Sequence, residues 1–287
     1  MRTVKQIHQA VSAPIDDLIT WRVMPTTTIE HLDPFLFLNH HGPQQYLPGN
    51  PGLPFGPHPH RGFETLTFIL EGDLVHWDSS GGKSVIREGG IQWMTAGRGL
   101  IHAEISSDEF KKNGGPVEIL QLWINLPAKL KMTEPNYTGL QKEQIPVKKL
   151  NDNTVSLNVI SGNWEEVKGP ASSLTGIEVA EVFLNKGSHY QTTVDPARTL
   201  LFYMVRGKAE VNGMIAEMHE LVEWNSDGEK ISVKALENSV VIIGHGVPFH
   251  EPIVAYGPFV MNTEEQIRQA YDDYQQGRMG DWKNFNG

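Results

Sequence analysis

The sequence predicts an all-β fold of two barrel or sandwich domains that ends in one helix. Three observations support this prediction: short runs of alternating apolar residues recur along the chain, Gly-rich turns separate them, and one late segment changes to helical spacing. The chain has 287 residues, with 28 glycines and 18 prolines spread along it. This length favours two domains, and the composition suits many short strands joined by tight turns.

The strand pattern is clearest in the first half of the chain. Leu66, Phe68 and Leu70 alternate with smaller or more polar neighbours, and a Glu-Gly-Asp turn follows at 71–73. Further strands are expected at 73–78, 83–87, 91–95 and 117–125. The segment 39–60 is crowded with Gly, Pro, His and Gln, so we expect an irregular loop there.

The second half repeats this architecture after a polar stretch, 131–149, which we interpret as the crossing between domains. Strands are expected at 155–160, 177–184, 200–205, 222–224 and 240–244. At 264–276 the spacing of apolar residues becomes helical, and Thr263 with Gln266 forms a plausible capping box. We therefore predict an N-terminal domain of residues 1–135 and a C-terminal domain of residues 136–287 that closes on a helix.

Composition excludes several classes of function. The chain has 34 acidic and 24 basic residues and a net charge of −10, which disfavours direct binding of nucleic acid and of anionic membranes. It has no cysteine, so a metal would be held by nitrogen and oxygen alone. We find no signal-like apolar region at the N-terminus and no run long enough to span a bilayer, and we expect a cytoplasmic protein.

Two short motifs carry the chemistry of the chain. His58 and His60 form an H-x-H pair, and His102 and Glu104 form an H-x-E pair about forty residues later. On a strand, residues i and i+2 point to the same side, so each pair can converge on one ion. An isolated H-x-H is more often a surface pair, but a second pair at strand-repeat distance favours a metal site with one or two open positions.

The residues around these motifs resemble the pirin family of the cupin superfamily. The matching segments run nearly end to end: FGPHPHRGFET at 55–65, QWMTAGRGLIHAE at 92–104, QLWINL at 121–126, EPNY at 134–137, ISG at 160–162 and GPFVMN at 257–262. The resemblance implies two cupin-type (jelly-roll) β-barrels, with a metal only in the N-terminal one. It also implies His58, His60, His102 and Glu104 as the ligands of one divalent transition-metal ion. Iron, as Fe(II), is expected first, with Mn, Ni, Cu, Co or Zn as alternatives.

Other histidines lack this pattern. His40 and His41 are adjacent, so their side chains diverge on an extended strand, and we interpret them as structural or incidental. The second half has four histidines but no H-x-H, and structural or surface roles are expected for them: His189, His219, His245 and His250.

Glu64 follows the first motif closely and has two open interpretations. It is either a partner that orients an imidazole of the site or a carboxylate paired with Arg61 or Arg98 at the barrel rim. We therefore leave it out of the predicted ligand set.

The resemblance also implies a reaction. Some pirins are similar to quercetin 2,3-dioxygenases, which open the heterocyclic ring of a flavonol with O₂ and release carbon monoxide. Glu104 is then the candidate base, with Glu64 as the second candidate. The alternative is a non-catalytic, metal-dependent interaction protein that acts as a redox-responsive partner of a transcription factor or a metabolic enzyme. We further expect residues 1–150 alone to retain the metal if they are soluble.

Overall fold

Twenty-six β-strands make up most of the fold, which a computed structural model describes for residues 1–281. The first twelve are β1 (Val4–Gln9), β2 (Val11–Ser12), β3 (Thr20–Met24), β4 (Phe35–Tyr46), β5 (Phe55–His60), β6 (Phe63–Glu71), β7 (Asp73–Asp78), β8 (Lys83–Arg87), β9 (Ile91–Thr95), β10 (Leu100–Ile105), β11 (Gly115–Asn125) and β12 (Asn136–Leu140). The others are β13 (Val147–Leu150), β14 (Val155–Ser161), β15 (Asn163–Trp164), β16 (Val167–Lys168), β17 (Glu178–Leu184), β18 (His189–Thr193), β19 (Thr199–Arg206), β20 (Lys208–Val211), β21 (Met214–Glu217), β22 (Glu220–Trp224), β23 (Lys230–Ala235), β24 (Ser239–Gly246), β25 (Val254–Tyr256) and β26 (Phe259–Met261).

Helices are few. They are α1 (Asp108–Asn113), α2 (Glu264–Gln275) and two 3-10 turns, Ala128–Leu130 and Lys142–Gln144. The predicted capping box at the start of α2 is present, with Thr263 and Gln266 each bonding the other's backbone. The all-β prediction with a late helix is confirmed. Neither α-helix within residues 1–281 has the length and apolar character of a membrane span.

The chain packs as two units, and neither is one continuous stretch of sequence. The unit that we call the N-barrel contains Ala13–Thr20, Phe37–Lys142 and the described residues from Phe249 onward. The C-barrel contains Met1–Ser12, Trp21–Leu36 and Glu143–Pro248. The predicted ranges 1–135 and 136–287 differ from these units because β1 pairs with β22 and Phe259 of β26 forms a β-bridge with Arg61. The domain boundary at residue 135 stays a prediction. The chain passes from the N-barrel to the C-barrel after Lys142, which lies within the expected crossing at 131–149.

The N-barrel is built from two groups of antiparallel strands. One group has the order β12-β9-β6-β11-β4 and the other has the order β5-β10-β7-β8. A buried apolar cluster fills part of this unit: Leu18, Tyr46, Leu53, Ile69, Leu74, Ile86, Phe110, Val117 and Ile119. Other inward positions carry the polar and aromatic side chains described below.

The expected loop at 39–60 was wrong. β4 continues to Tyr46 and β5 begins at Phe55, so only 47–54 lies outside strands. Proline is tolerated in β5 because this strand lies at the edge of its group, where a missing N–H costs no ladder bond. The glycine and proline content of the segment could not predict that β5 is an edge strand, because this depends on its pairing with β10.

The C-barrel has the same architecture around an apolar interior. Its strands lie in the orders β1-β22-β19-β24-β17-β14-β13 and β18-β23-β20-β21. Side chains such as Leu157, Phe202, Met204, Val222 and Ile243 are buried in one cluster. Their burial stabilises this unit through the hydrophobic effect.

Candidate metal centre

β5 and β10 bring three imidazoles together. His58 lies directly opposite His102 in the β5–β10 pairing, and His60 is two residues further along β5. Within residues 1–281, these three side chains are the only group of three or more His, Cys, Asp or Glu residues whose ligand atoms all lie within 4.8 Å of one another. His58 and His60 therefore point to the same side of β5, as their i, i+2 spacing predicts, and meet His102 on the neighbouring strand.

Hydrogen bonds define which nitrogen each imidazole presents. His58 Nδ1 donates to the carbonyl of Gly56 at 2.7 Å, and His60 Nδ1 donates to the carbonyl of Pro258 at 3.2 Å. Each Nε2 therefore carries a lone pair. The Nε2 atom of His60 and both ring nitrogens of His102 are buried without a hydrogen-bond partner. Such atoms are costly unless something satisfies them, and a cation among the three imidazoles would satisfy one nitrogen of each ring, so these residues fit a divalent metal ion.

Burial keeps two of these imidazoles neutral. Loss of hydration lowers the pKa of His60 to about 3, with a further contribution from His58 and an opposing one from the Pro258 carbonyl. Loss of hydration, followed by the nearby His60, His58 and His76, lowers the pKa of His102 well below its usual value. Neutral imidazole is the form that binds a metal, so both side chains are ready to do so at neutral pH.

Glu104 lies beside the imidazole group but not within it. Its carboxylate is buried and accepts hydrogen bonds on both oxygens: the Gln92 amide and the Thr67 hydroxyl (3.3 Å) donate to Oε1, and the Gln121 amide donates to Oε2 at 2.6 Å. Its oxygens are not among the ligand atoms that lie within 4.8 Å of one another in the imidazole group. Its role as fourth ligand stays a prediction.

The sequence analysis missed the residues that surround Glu104. Gln92 and Gln121 each lie between apolar neighbours on a strand, and a polar residue at an inward position was the signal that could have identified them. Tyr137 donates its hydroxyl to Gln92 Oε1 at 3.3 Å, and the His76 ring stacks on Tyr137 with 4.0 Å between centroids. His76 faces Glu104 across the β7–β10 pairing. With Thr67 of β6, five other strands therefore contribute side chains to the surroundings of this one carboxylate.

An aromatic wall, formed by Phe37, Phe63 and Trp123, stands beside the imidazoles. Trp123 stacks on Phe37 with 4.6 Å between centroids and lies 4.3 Å from the Phe63 ring. The His60 ring is 5.2 Å from Trp123 and 4.9 Å from Phe63. Phe37 and Trp123 are only half-buried, so the wall keeps an accessible edge next to the site.

Glu64 faces away from the imidazoles. Thr67 points towards Glu104, and side chains alternate along a strand, so the even-numbered positions of β6 face the opposite side. Glu64 Oε1 accepts a hydrogen bond from Thr95 at 2.6 Å. Burial raises its pKa to about 7, against the opposing effect of the Thr95 hydrogen bond. Glu64 is therefore poorly placed to orient an imidazole or to act as a base at this site.

The alternative ion pair for Glu64 is not what the structure shows. Arg61 pairs with Asp273 at 2.8 Å, and Arg98 pairs with Glu134 at 2.9 Å. Both arginines therefore pair with other carboxylates, and Glu64 is a buried carboxyl group that is hydrogen-bonded to Thr95.

Five other histidines contact side chains outside the imidazole group. His40 Nε2 lies 2.9 Å from Glu118 Oε1 with both side chains fully buried, and His41 Nδ1 lies 2.9 Å from Thr20 Oγ1. In the C-barrel the contacts are His189 with Ser232, His219 with Trp21, and His245 with Arg198. These contacts agree with structural roles.

Comparison with known proteins connects this geometry to a family. The pirin family model matches residues 18–124, and the pirin C-terminal cupin domain model matches residues 179–280. A protein of Pseudomonas aeruginosa named "Putative quercetin 2,3-dioxygenase" is 36% identical over 249 residues, which are 87% of each chain. The crystal structure of a quercetin 2,3-dioxygenase from Acinetobacter baumannii matches with a TM-score of 0.92 at 34% identity and covers 98% of this chain and 99% of that one.

A more distant likeness bears on the fold alone. A bacterial pirin from Escherichia coli, solved in complex with nickel(II), matches with a TM-score of 0.67 at 23% identity and covers 85% of this chain and 99% of that one. The cupin-type, two-domain fold predicted from the sequence is confirmed. With models for both barrels matched and a relative 36% identical over most of its length, the chain belongs to the pirin family.

Proposed function

We propose that the protein is a metal-dependent dioxygenase that opens the heterocyclic ring of a flavonol with O₂. The observation that carries this proposal is the group of three imidazoles, in which His60 Nε2 and both ring nitrogens of His102 are buried without a hydrogen-bond partner, next to the buried carboxylate of Glu104. In the proposal His58, His60, His102 and Glu104 hold one divalent ion, and the remaining positions stay open. Relatives named quercetin 2,3-dioxygenase support this class of reaction.

The donor set favours a redox-capable ion. Imidazole and carboxylate suit Fe(II), and Ni, Mn, Cu, Co and Zn are also compatible with these ligands. A bound redox-capable ion would supply the coupling between the flavonol and O₂.

Residues of this chain would bind and orient the substrate. The flat rings of a flavonol pack against the aromatic wall beside His60, since aromatic rings prefer offset or edge contacts with one another. The 3-hydroxyl then faces Glu104, whose carboxylate accepts the proton. The amides of Gln92 and Gln121 hold that carboxylate in place before the transfer. We also keep the cytoplasm as the proposed compartment.

A spectroscopic experiment tests binding before turnover. Flavonol is added without oxygen to Fe(II)-loaded protein, and its absorption should shift to that of the flavonolate; oxygen should then bleach the band and release carbon monoxide. Metal-free protein and His102→Ala are the controls, and neither should give the shift. If no flavonol shows a metal-dependent shift, the dioxygenase proposal fails and the alternative, a metal-dependent interaction protein, is favoured.

The ligand set has its own test. Elemental analysis should find one ion per chain in the parent protein and much less in His58→Ala and His102→Ala. Two ions per chain, or unaltered content in both variants, would contradict the assignment.

A further inference from the structure

The segment 254–275, which we call the C-terminal segment, contains β25, β26 and α2 and reaches the first metal motif directly. The carbonyl that accepts the His60 Nδ1 proton belongs to Pro258, between β25 and β26. In β26, the Val260 N–H donates to the carbonyl of Arg61 at 3.0 Å, and Phe259 forms a β-bridge with Arg61. The backbone that carries His60 is therefore paired with chain almost two hundred residues away.

Arg61 connects α2 to both motifs. It is only 4% exposed, and its Nη1 lies 2.8 Å from Asp273 Oδ2 in α2. Its Nε donates to the carbonyl of Arg98 at 2.6 Å, just before the strand that carries His102. A buried guanidinium is tolerated only where acceptors surround it, so this side chain fixes the distance between three parts of the chain.

A second buried cation holds the same junction. Lys131 is 1% exposed, and its Nζ donates to the carbonyl of Gly62 (2.9 Å), to Asn125 Oδ1 (2.7 Å) and to the carbonyl of Val260 (3.0 Å). Gly62 follows the first motif and Val260 lies in β26. The turn that follows β5 is therefore joined to β26 by charge-assisted hydrogen bonds as well as by backbone pairing.

Apolar contacts complete the attachment. Ile267 and Ala270 of α2 are buried in one cluster with Phe259, Met261 and Ile101. Ile101 precedes His102 on β10. The helix therefore rests against the second motif as well as against β26.

We propose that the C-terminal segment is a positioning element of the metal centre, and that Asp273 acts through Arg61 to hold His60 in the orientation that presents Nε2. This inference rests on the proposed metal site. The partner of the second imidazole nitrogen fixes the tautomer and the ring orientation of a metal-binding histidine. Here that partner is a backbone carbonyl, so its own position depends on the contacts that hold the segment down.

The test compares neighbouring aspartates of α2 in the full-length protein. Asp273→Asn removes the charge that faces Arg61, whereas Asp272→Asn changes an exposed neighbour on the same helix. Co²⁺ affinity is measured by competition with a chelator, and the absorption spectrum of bound Co²⁺ reports the ligand geometry. We expect Asp273→Asn to bind Co²⁺ roughly 10- to 100-fold more weakly with an altered spectrum. Asp272→Asn should match the parent protein in both measurements.

A second variant keeps the test decisive if Asp273→Asn does not fold. Arg61→Lys keeps a cation facing Asp273 but loses the Nε donor to the Arg98 carbonyl, and it should also weaken Co²⁺ binding and change the spectrum. Parental affinity and spectrum in whichever of these two variants folds would overturn the proposal. Parental Co²⁺ binding by His102→Ala would instead overturn the ligand set, and this inference with it.

Discussion

At the scale of single residues, the setting of Glu104 determines what a substitution there would do. Amide N–H groups face both of its oxygens, from Gln92 on one side and Gln121 on the other. A carboxylate satisfies both donors, whereas an amide side chain must turn its own NH₂ towards one of them. These contacts make Glu104 important for folding as well as for the proposed chemistry.

Glu104→Gln should therefore lower the free energy of unfolding of the metal-free protein by about 1–3 kcal/mol, the cost of a buried donor without a partner. It should also reduce flavonol turnover strongly, because the amide accepts a proton poorly. Thermal unfolding and single-turnover kinetics would measure the two effects. Glu134→Gln, at an exposed carboxylate, is the control. Unchanged stability would show that the two amide contacts do not form in solution.

Trp123 offers a prediction for substrate binding. Loss of an aromatic contact is worth about 0.5–1.5 kcal/mol, so Trp123→Ala should raise KM for a flavonol roughly 2- to 12-fold while the protein still takes up one metal ion per chain. Trp77→Ala is a matched control, since this half-buried ring lies under Lys83 in a different part of the barrel. Equal KM values in the two variants would show that the aromatic wall does not take part in binding the flavonol.

Glu64 gives a prediction for stability as a function of pH. Its folded pKa of about 7 lies above the usual 4.5, so between these values the folded protein binds more protons than the unfolded chain. The free energy of unfolding therefore falls as pH rises through this window, by up to about 1.4 kcal/mol per pH unit from this group, and the loss is complete above pH 7.

Glu64→Gln should remove this contribution, so the variant gains stability relative to the parent as pH rises from 5 to 8. Urea unfolding of metal-free protein at several pH values measures the difference. Glu88→Gln, at an exposed position, should keep the pH dependence of the parent protein. A constant difference between Glu64→Gln and the parent would mean that Glu64 ionises normally in the fold.

At the scale of elements, the turn between β5 and β6 meets β26 at very short distance. Gly62 has φ +89°, and a Cβ there would lie 2.0 Å from the Val260 carbonyl oxygen. Gly81 has nearly the same conformation, φ +92°, but a Cβ there would meet nothing within 4 Å. These two glycines separate the cost of the backbone conformation from the cost of the contact.

Gly81→Ala should cost about 1–2 kcal/mol of stability, the usual penalty for a side chain at such a φ. Gly62→Ala should cost at least about twice as much, because β26 must move as well, and it should also weaken Co²⁺ binding. Denaturant unfolding and chelator competition measure the two effects. Equal losses of stability in the two variants would show that β26 can move away from residue 62 without a cost in free energy.

At the scale of the whole molecule, the interleaved units change the expectation for a truncated chain. Residues 1–150 lack Asp273 and Val260, and so lack acceptors for the buried cations of Arg61 and Lys131. Removing one partner of a buried ion pair costs about 3–5 kcal/mol, a large part of the stability of an ordinary domain.

We therefore expect residues 1–150 to be largely insoluble or unable to hold Co²⁺, in contrast to the retention of metal expected from the sequence. Expression of this fragment beside the full-length chain, followed by metal analysis of the soluble fraction, checks the prediction. A soluble fragment with the full-length affinity would show that the N-barrel does not need its C-terminal segment.

The sequence by itself determined the all-β class, the capped helix and the three clustered histidines. Each depends on a local sequence pattern. Alternation along a strand places residues i and i+2 on one side, and the Thr263 side chain caps α2 by accepting a hydrogen bond from the N–H of Gln266, three residues later. The H-x-E pair and the family resemblance both predicted Glu104 as the fourth ligand, and that role stays a prediction.

Tertiary structure alone decided the surroundings of those histidines. The donors to Glu104 come from separate strands, and Glu64 turned away because of which face of β6 meets the site. His60 takes its hydrogen-bond partner from a residue 198 positions further along the chain. Pairings over such separations are set by how strands pack and by which buried charges find acceptors, and no repeating pattern within a single segment encodes them.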